Sequence, residues 1–301
     1  MQLQPPDPSF LGLPVGSLDD LRADVAILGI PHGTPYPRPG ATAGCAEAPS
    51  AVRRRAARLA RFADHHDFDL DGPMLPAGLR IVDCGDVPGS PDDPAGNRQR
   101  AEAAVRAVLA AGTLPILLGG DDSTPIPVLA AFSARGPLTV LQVDAHLDFR
   151  DEVQGERLGY SSSMRRASEM PHVARIVQVG LRGAGSARPS DVADARSAGN
   201  LLVSVSQLHD RGVPWLLDQL PADQALFVSL DLDGLDPSVA PGVSAAAPGG
   251  LSYREAFDLV VGAARTGHLA GLILTELLPE RDLNEISALV ATRLVIAAFQ
   301  R

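Results

Sequence analysis

Eight short apolar runs recur along the chain, at residues 24–30, 79–84, 114–118, 138–143, 174–181, 201–205, 225–230 and 269–274. Between them lie segments whose apolar residues fall three and four apart, as at 98–111, 206–220, 252–267 and 284–299. Apolar runs of strand length alternating with helical periodicity predict an α/β protein with a mostly parallel sheet covered by helices on both faces. No internal repeat or linker interrupts the pattern, so the 301 residues read as one domain, 1–301, with 1–23 as an N-terminal extension. In such sheets the loops at the carboxyl ends of strands build the ligand crevice, so chemistry belongs where strands stop.

Composition removes several function classes. Acidic residues outnumber basic ones 36 to 26, giving a formal charge of −10, and the longest basic cluster is Arg53-Arg54-Arg55. A phosphate backbone or anionic membrane surface needs a positive footprint that is missing here, so neither is an expected partner. The three arginines lie at helical spacing and read as a solvated helix face. Every basic residue is arginine, which excludes Schiff-base, pyridoxal-phosphate and P-loop lysines. Cys45 and Cys84 fit no disulfide framework or zinc spacing and read as thiols of a reducing compartment. The first residues show no charged, apolar leader and no run reaches membrane-spanning length, so a cytoplasmic protein is expected.

Three strand ends carry acids. The run 138–143 is followed by Asp144-Ala145-His146-Leu147-Asp148, with three ligand types at alternate positions that share one face of an extended chain. The run 225–230 is followed by Asp231-Leu232-Asp233-Gly234-Leu235-Asp236-Pro237, and 114–118 by Gly119-Gly120-Asp121-Asp122-Ser123. Any one alone reads as a turn or helix cap, the reading preferred for Asp121 and Ser123. Together they concentrate like charges that repel unless cations neutralise them, which favours a metal site. Oxygen donors with one imidazole favour Mn²⁺ or a similar ion, and the set is large enough for two ions sharing carboxylates. Such a pair activates a water for attack at neutral pH.

These three motifs, in this order and spacing, resemble the signatures of the ureohydrolase (arginase and agmatinase) family. The likeness runs from residues 25–29 through Arg38-Pro39-Gly40-Ala41 to the C-terminal helix. The resemblance implies a three-layer α/β/α sandwich around an eight-stranded, mostly parallel sheet, assembled into trimers or hexamers, that hydrolyses guanidino compounds to urea and an amine. It implies two Mn²⁺ per subunit, with Ni²⁺ or another divalent ion as an alternative. The implied metal ligands are Asp144, His146, Asp148, Asp231 and Asp233, with Asp122 at the position of a family histidine. Glu276 matches the carboxylate that pairs with the substrate guanidinium, through charge-assisted paired hydrogen bonds. Asp148 would also pass a proton to the leaving amine.

The chain departs from the family pattern at three places. Asp122 makes the six-ligand shell formally −5 against +4 for two divalent ions. The loop that carries a family histidine for proton transfer reads Gly159-Tyr160-Ser161-Ser162-Ser163-Met164-Arg165-Arg166, and serine is a poor proton carrier near pH 7. His32, after the first strand, either supplies that group or is a hydrogen-bonded loop histidine. The segment 241–250 loses hydroxyls that line the family's substrate pocket. Two rivals to an agmatinase-like hydrolase therefore stand: a formimino or amide hydrolase, and a metal-binding paralogue without turnover.

Overall fold

The structure is a computed structural model that describes residues 1–36 and 42–301; Arg38-Pro39-Gly40-Ala41 lies outside the described residues. Besides a two-stranded hairpin, His66–Asp67 with Gly72–Pro73, the described residues form eight longer strands: β1 Val25–Ile30, β2 Ile81–Asp86, β3 Leu114–Gly119, β4 Leu138–Val143, β5 Val173–Leu181, β6 Leu201–Ser204, β7 Ala225–Asp231 and β8 Leu269–Thr275. They form one sheet in the order β2-β1-β3-β8-β7-β4-β5-β6. Every pairing is parallel. β1, β3 and β4 are buried at every residue, which is why their sequences are continuous apolar runs rather than alternating ones.

Helices cover both faces. α1 Ala48–Ala57, α6 Val205–Arg211, α7 Val213–Leu217, α8 Tyr253–Arg265 and α9 Ile286–Ala297 pack into one apolar layer. α2 Pro94–Ala110, α3 Pro125–Ala130, α4 Ser163–Ser168 and α5 Pro189–Ser197 pack into the other. This is the expected three-layer α/β/α sandwich. α8 starts where Ser252 accepts the Glu255 N–H at 3.2 Å while the Glu255 carboxylate accepts the Ser252 N–H at 2.9 Å.

Local chemistry moves some boundaries. The strand expected at 201–205 ends at Ser204, whose hydroxyl accepts the Gln207 N–H and opens α6. The single helix expected at 206–220 is two, because Gly212 turns to φ 82° between α6 and α7. The solvated face expected of Arg53-Arg54-Arg55 fails at Arg53, which is 1% exposed. Its guanidinium donates to both oxygens of Asp83, at 2.8 and 3.0 Å, and to Asp86 at 2.5 Å. Both acids sit on β2, so helical spacing alone hides the pairing. The N-terminal residues run along β2, exchanging backbone hydrogen bonds between Gln4 and Asp86 at 2.8 Å each way. No helix among the described residues is long and apolar enough to cross a membrane.

The sheet order gathers the acids. β3, β8, β7 and β4 are consecutive neighbours, and Leu118, Leu274, Leu230 and Val143 stand in one row across them. Parallel pairing brings their carboxyl ends to one edge, so the residues following that row converge.

Candidate metal centre and active site

Asp144 follows β4 directly, Asp231 ends β7, Asp122 lies just beyond β3 and Glu276 just beyond β8. Asp122, Asp144, Asp148, Asp231, Asp233 and Glu276 are all buried. Two trios offer one ligand atom per residue, all within 4.8 Å of one another: Asp144 with His146 and Asp233, and Asp122 with Asp144 and Asp231. Asp144 belongs to both. His146 Nδ1 lies 3.0 Å from Asp233 and 3.4 Å from Asp144.

Electrostatics makes this arrangement costly by itself. Burial and then the charge of neighbouring carboxylates raise Asp122, Asp144, Asp148 and Asp231 well above the usual carboxylate range. The hydrogen bond with Asp233 pushes His146 up to about 9 against the opposing effect of burial. Such groups keep their charge together only with a cation among them. Oxygen donors with one imidazole suit a hard or borderline divalent ion, so the residues present fit two metal ions with Asp144 shared.

Polar neighbours orient the acids. Gln142, two residues before Asp144 on the same strand face, donates Nε2 to Asp144 at 2.7 Å and to Asp148 at 3.3 Å. Gln178 on β5 donates to Gln142 at 2.6 Å, and Asn200 donates to Gln178 at 2.9 Å. Asp122 accepts the Thr275 hydroxyl at 3.0 Å on one oxygen and the Ser163 hydroxyl at 2.6 Å on the other. Two donors spread its charge. Asp121 accepts the Ser123 N–H at 3.0 Å and the Thr42 hydroxyl at 3.2 Å, as expected of a turn residue.

Glu276 lines the same cavity, of about 180 Å³, as Asp122, His146, Asp148, Asp231 and Asp233. It accepts the Asp122 N–H at 2.9 Å on one oxygen and the Ser244 hydroxyl on the other. Burial, then the charge of Asp121, pushes it up to about 8. His32 is not brought to this group; it lines the adjoining cavity with Asp121, and burial lowers its pKa.

Sequence reasoning missed several participants. Ser244, in the segment read as having lost its pocket hydroxyls, lines the cavity because Val243 bridges Leu277 and sets it beside Glu276. Ser163 and Thr275 gave no signal, since their partner lies 41 and 153 residues away. Gln142 did give one: an amide inside an apolar run, in phase with Asp144, His146 and Asp148.

An eight-stranded parallel sheet of this order, with this acid and imidazole cluster at its carboxyl edge, defines a hydrolase of the ureohydrolase class, whose members cleave C–N bonds of linear amidines. Residues 23–300 match the model of the family described as "Arginase family". The chain belongs to that family. Similar proteins include guanidinopropionase of Pseudomonas aeruginosa, 32% identical over 96% of this chain and 89% of that protein, and agmatinase of Bacillus subtilis, 30% identical over 91% and 90%. Among solved structures, proclavaminate amidinohydrolase from Streptomyces clavuligerus superposes with a TM-score of 0.82 at 26% identity, covering 97% of this chain and 96% of that one.

Proposed function

We propose that the chain is a metal-dependent, agmatinase-like amidinohydrolase, a cytoplasmic homo-oligomer that hydrolyses a guanidino compound to urea and an amine. The observation that carries this reading is one cavity lined by members of both cation-fitting trios, Asp122, His146, Asp231 and Asp233, together with the buried carboxylate of Glu276.

Asp122, Asp144, His146, Asp148, Asp231 and Asp233 would hold two divalent cations, Mn²⁺ or Ni²⁺. Held there, such ions would supply the acidity that makes a water a nucleophile near neutral pH. Glu276 pairs with the planar, cationic guanidinium, and its fixed hydrogen bonds from Asp122 and Ser244 set the angle of approach. Asp148, held by Gln142, accepts the proton of the attacking water and returns it to the leaving amine nitrogen. Burial keeps bulk water from screening these interactions. His32, beside Asp121 in the next cavity, stands with the substrate's far end rather than with the reacting carbon.

The test is urea release from a panel of guanidino compounds with Mn²⁺ or Ni²⁺. At least one compound releases urea with metal and none after chelation, and Asp144→Asn lowers that rate by more than the ~10–100-fold typical of residues that only support a ligand. Ammonia or formamide without urea would point to a formimino bond, and metal occupancy without turnover to a binding subunit. Either result would remove the proposal.

A further inference from the structure

Next to the cation-fitting cavity lies a second of about 230 Å³, and Tyr160 lines both. Pro31, Pro35, Tyr36 and Pro91 make its walls largely apolar. Tyr36 and Tyr160 pack with ring centroids 4.4 Å apart. The Tyr36 hydroxyl accepts the Ser161 N–H at 3.0 Å, and Gly159 leaves room for its ring: a Cβ there would lie 2.1 Å from it. The aromatic wall is therefore fixed. At 230 Å³ the space falls below the ~300–1,000 Å³ of pockets for drug-sized ligands, so it suits a short tail.

Charge is what this space lacks on the positive side. Among the described residues no arginine lines either cavity, and the chain contains no lysine. Asp121 faces the second cavity, its carboxylate bonded to Ser123 and Thr42 and, among the described residues, to no arginine. With Asp121, Asp122, Asp144, Asp148, Asp231, Asp233 and Glu276, seven carboxylates face at most two divalent ions and one guanidinium. A substrate carboxylate placed here would add repulsion and lose its hydration, with His32, whose pKa burial lowers, as the one imidazole lining the cavity among the described residues.

We infer that the substrate's guanidinium sits at Glu276 and its remainder passes Tyr160 into this second cavity, which selects a short tail bearing no carboxylate. The inference rests on the amidinohydrolase reading above and names the substrate class within it.

Three compounds that each carry four carbons on the guanidino nitrogen, the carboxyl carbon of the third included, separate the outcomes: butylguanidine, agmatine and 4-guanidinobutyrate, assayed for urea with the full chain and Mn²⁺. We expect kcat/KM for butylguanidine and agmatine at least tenfold above that for 4-guanidinobutyrate. Tyr160→Leu raises KM for the first two more than for methylguanidine, which has no tail. Arg38→Ala, altering the one arginine among residues 37–41, leaves the ranking unchanged. Equal rates, or a preference for 4-guanidinobutyrate that Arg38→Ala abolishes, overturn this inference alone. No urea from any compound overturns the reading beneath it, and this inference with it.

Discussion

Asp148 at φ 45° and Glu276 at φ 64° both hold left-handed backbone that side chains other than glycine's rarely adopt, at a cost of about 1–3 kcal/mol each. Surrounding bonds hold them there: the Asp148 carbonyl accepts the Met164 and Arg165 N–H groups at 3.1 and 3.2 Å, and the Glu276 N–H donates to Gly120 at 2.9 Å. Strain so fixed turns two carboxylates back over the strand ends. Glu276 also makes a prediction about pH. Its pKa in the metal-free fold is raised from 4.5 to about 8, so between those values the folded state binds a proton that the unfolded state has released. Stability of the metal-free protein therefore falls as pH rises through that window, by up to several kcal/mol at ~1.4 kcal/mol per unit. Glu276→Gln removes the dependence due to this group. The variant unfolds at higher denaturant concentration than the wild-type at pH 8 without metal, yet loses at least ~100-fold in kcat/KM for the guanidino substrate. Equal midpoints at pH 8, or unchanged kcat/KM, would contradict the role given to Glu276.

At the level of elements, the strands were legible because runs buried on both faces must be apolar throughout, and the acids that end them stand out for the same reason. Helix faces were less so. The arginines of α1 carry no mark separating Arg53, locked to β2, from exposed Arg54, because the deciding partners lie on another element. The same blindness hid the Asn200, Gln178 and Gln142 chain, which crosses from the start of β6 through β5 to β4 and ends on Asp144 and Asp148. Gln142→Leu keeps comparable volume but removes the donor that orients two carboxylates and leaves a Gln178 N–H without its acceptor. Mn²⁺ affinity by isothermal titration falls ~10–100-fold while far-ultraviolet circular dichroism stays unchanged. Wild-type affinity in this variant would show that the amide chain does not position the site.

Over the whole molecule, what the sequence could not display was adjacency. The acid-bearing strands are third, fourth, seventh and eighth in the chain but consecutive in the sheet, in the order β3-β8-β7-β4. Each motif is visible in the sequence, and their position at strand ends points to one metal site, but which strands stand side by side depends on crossover connections that no local pattern displays. Once met, buried acids that repel one another tie the fold to cations. Anomalous scattering at the manganese edge, from crystals grown with Mn²⁺, shows whether cations sit among them. Two peaks are expected in each subunit, one bounded by Asp144, His146 and Asp233 and the other by Asp122, Asp144 and Asp231. A map without peaks in this cavity at saturating Mn²⁺, or with manganese only elsewhere on the protein, would contradict that tie.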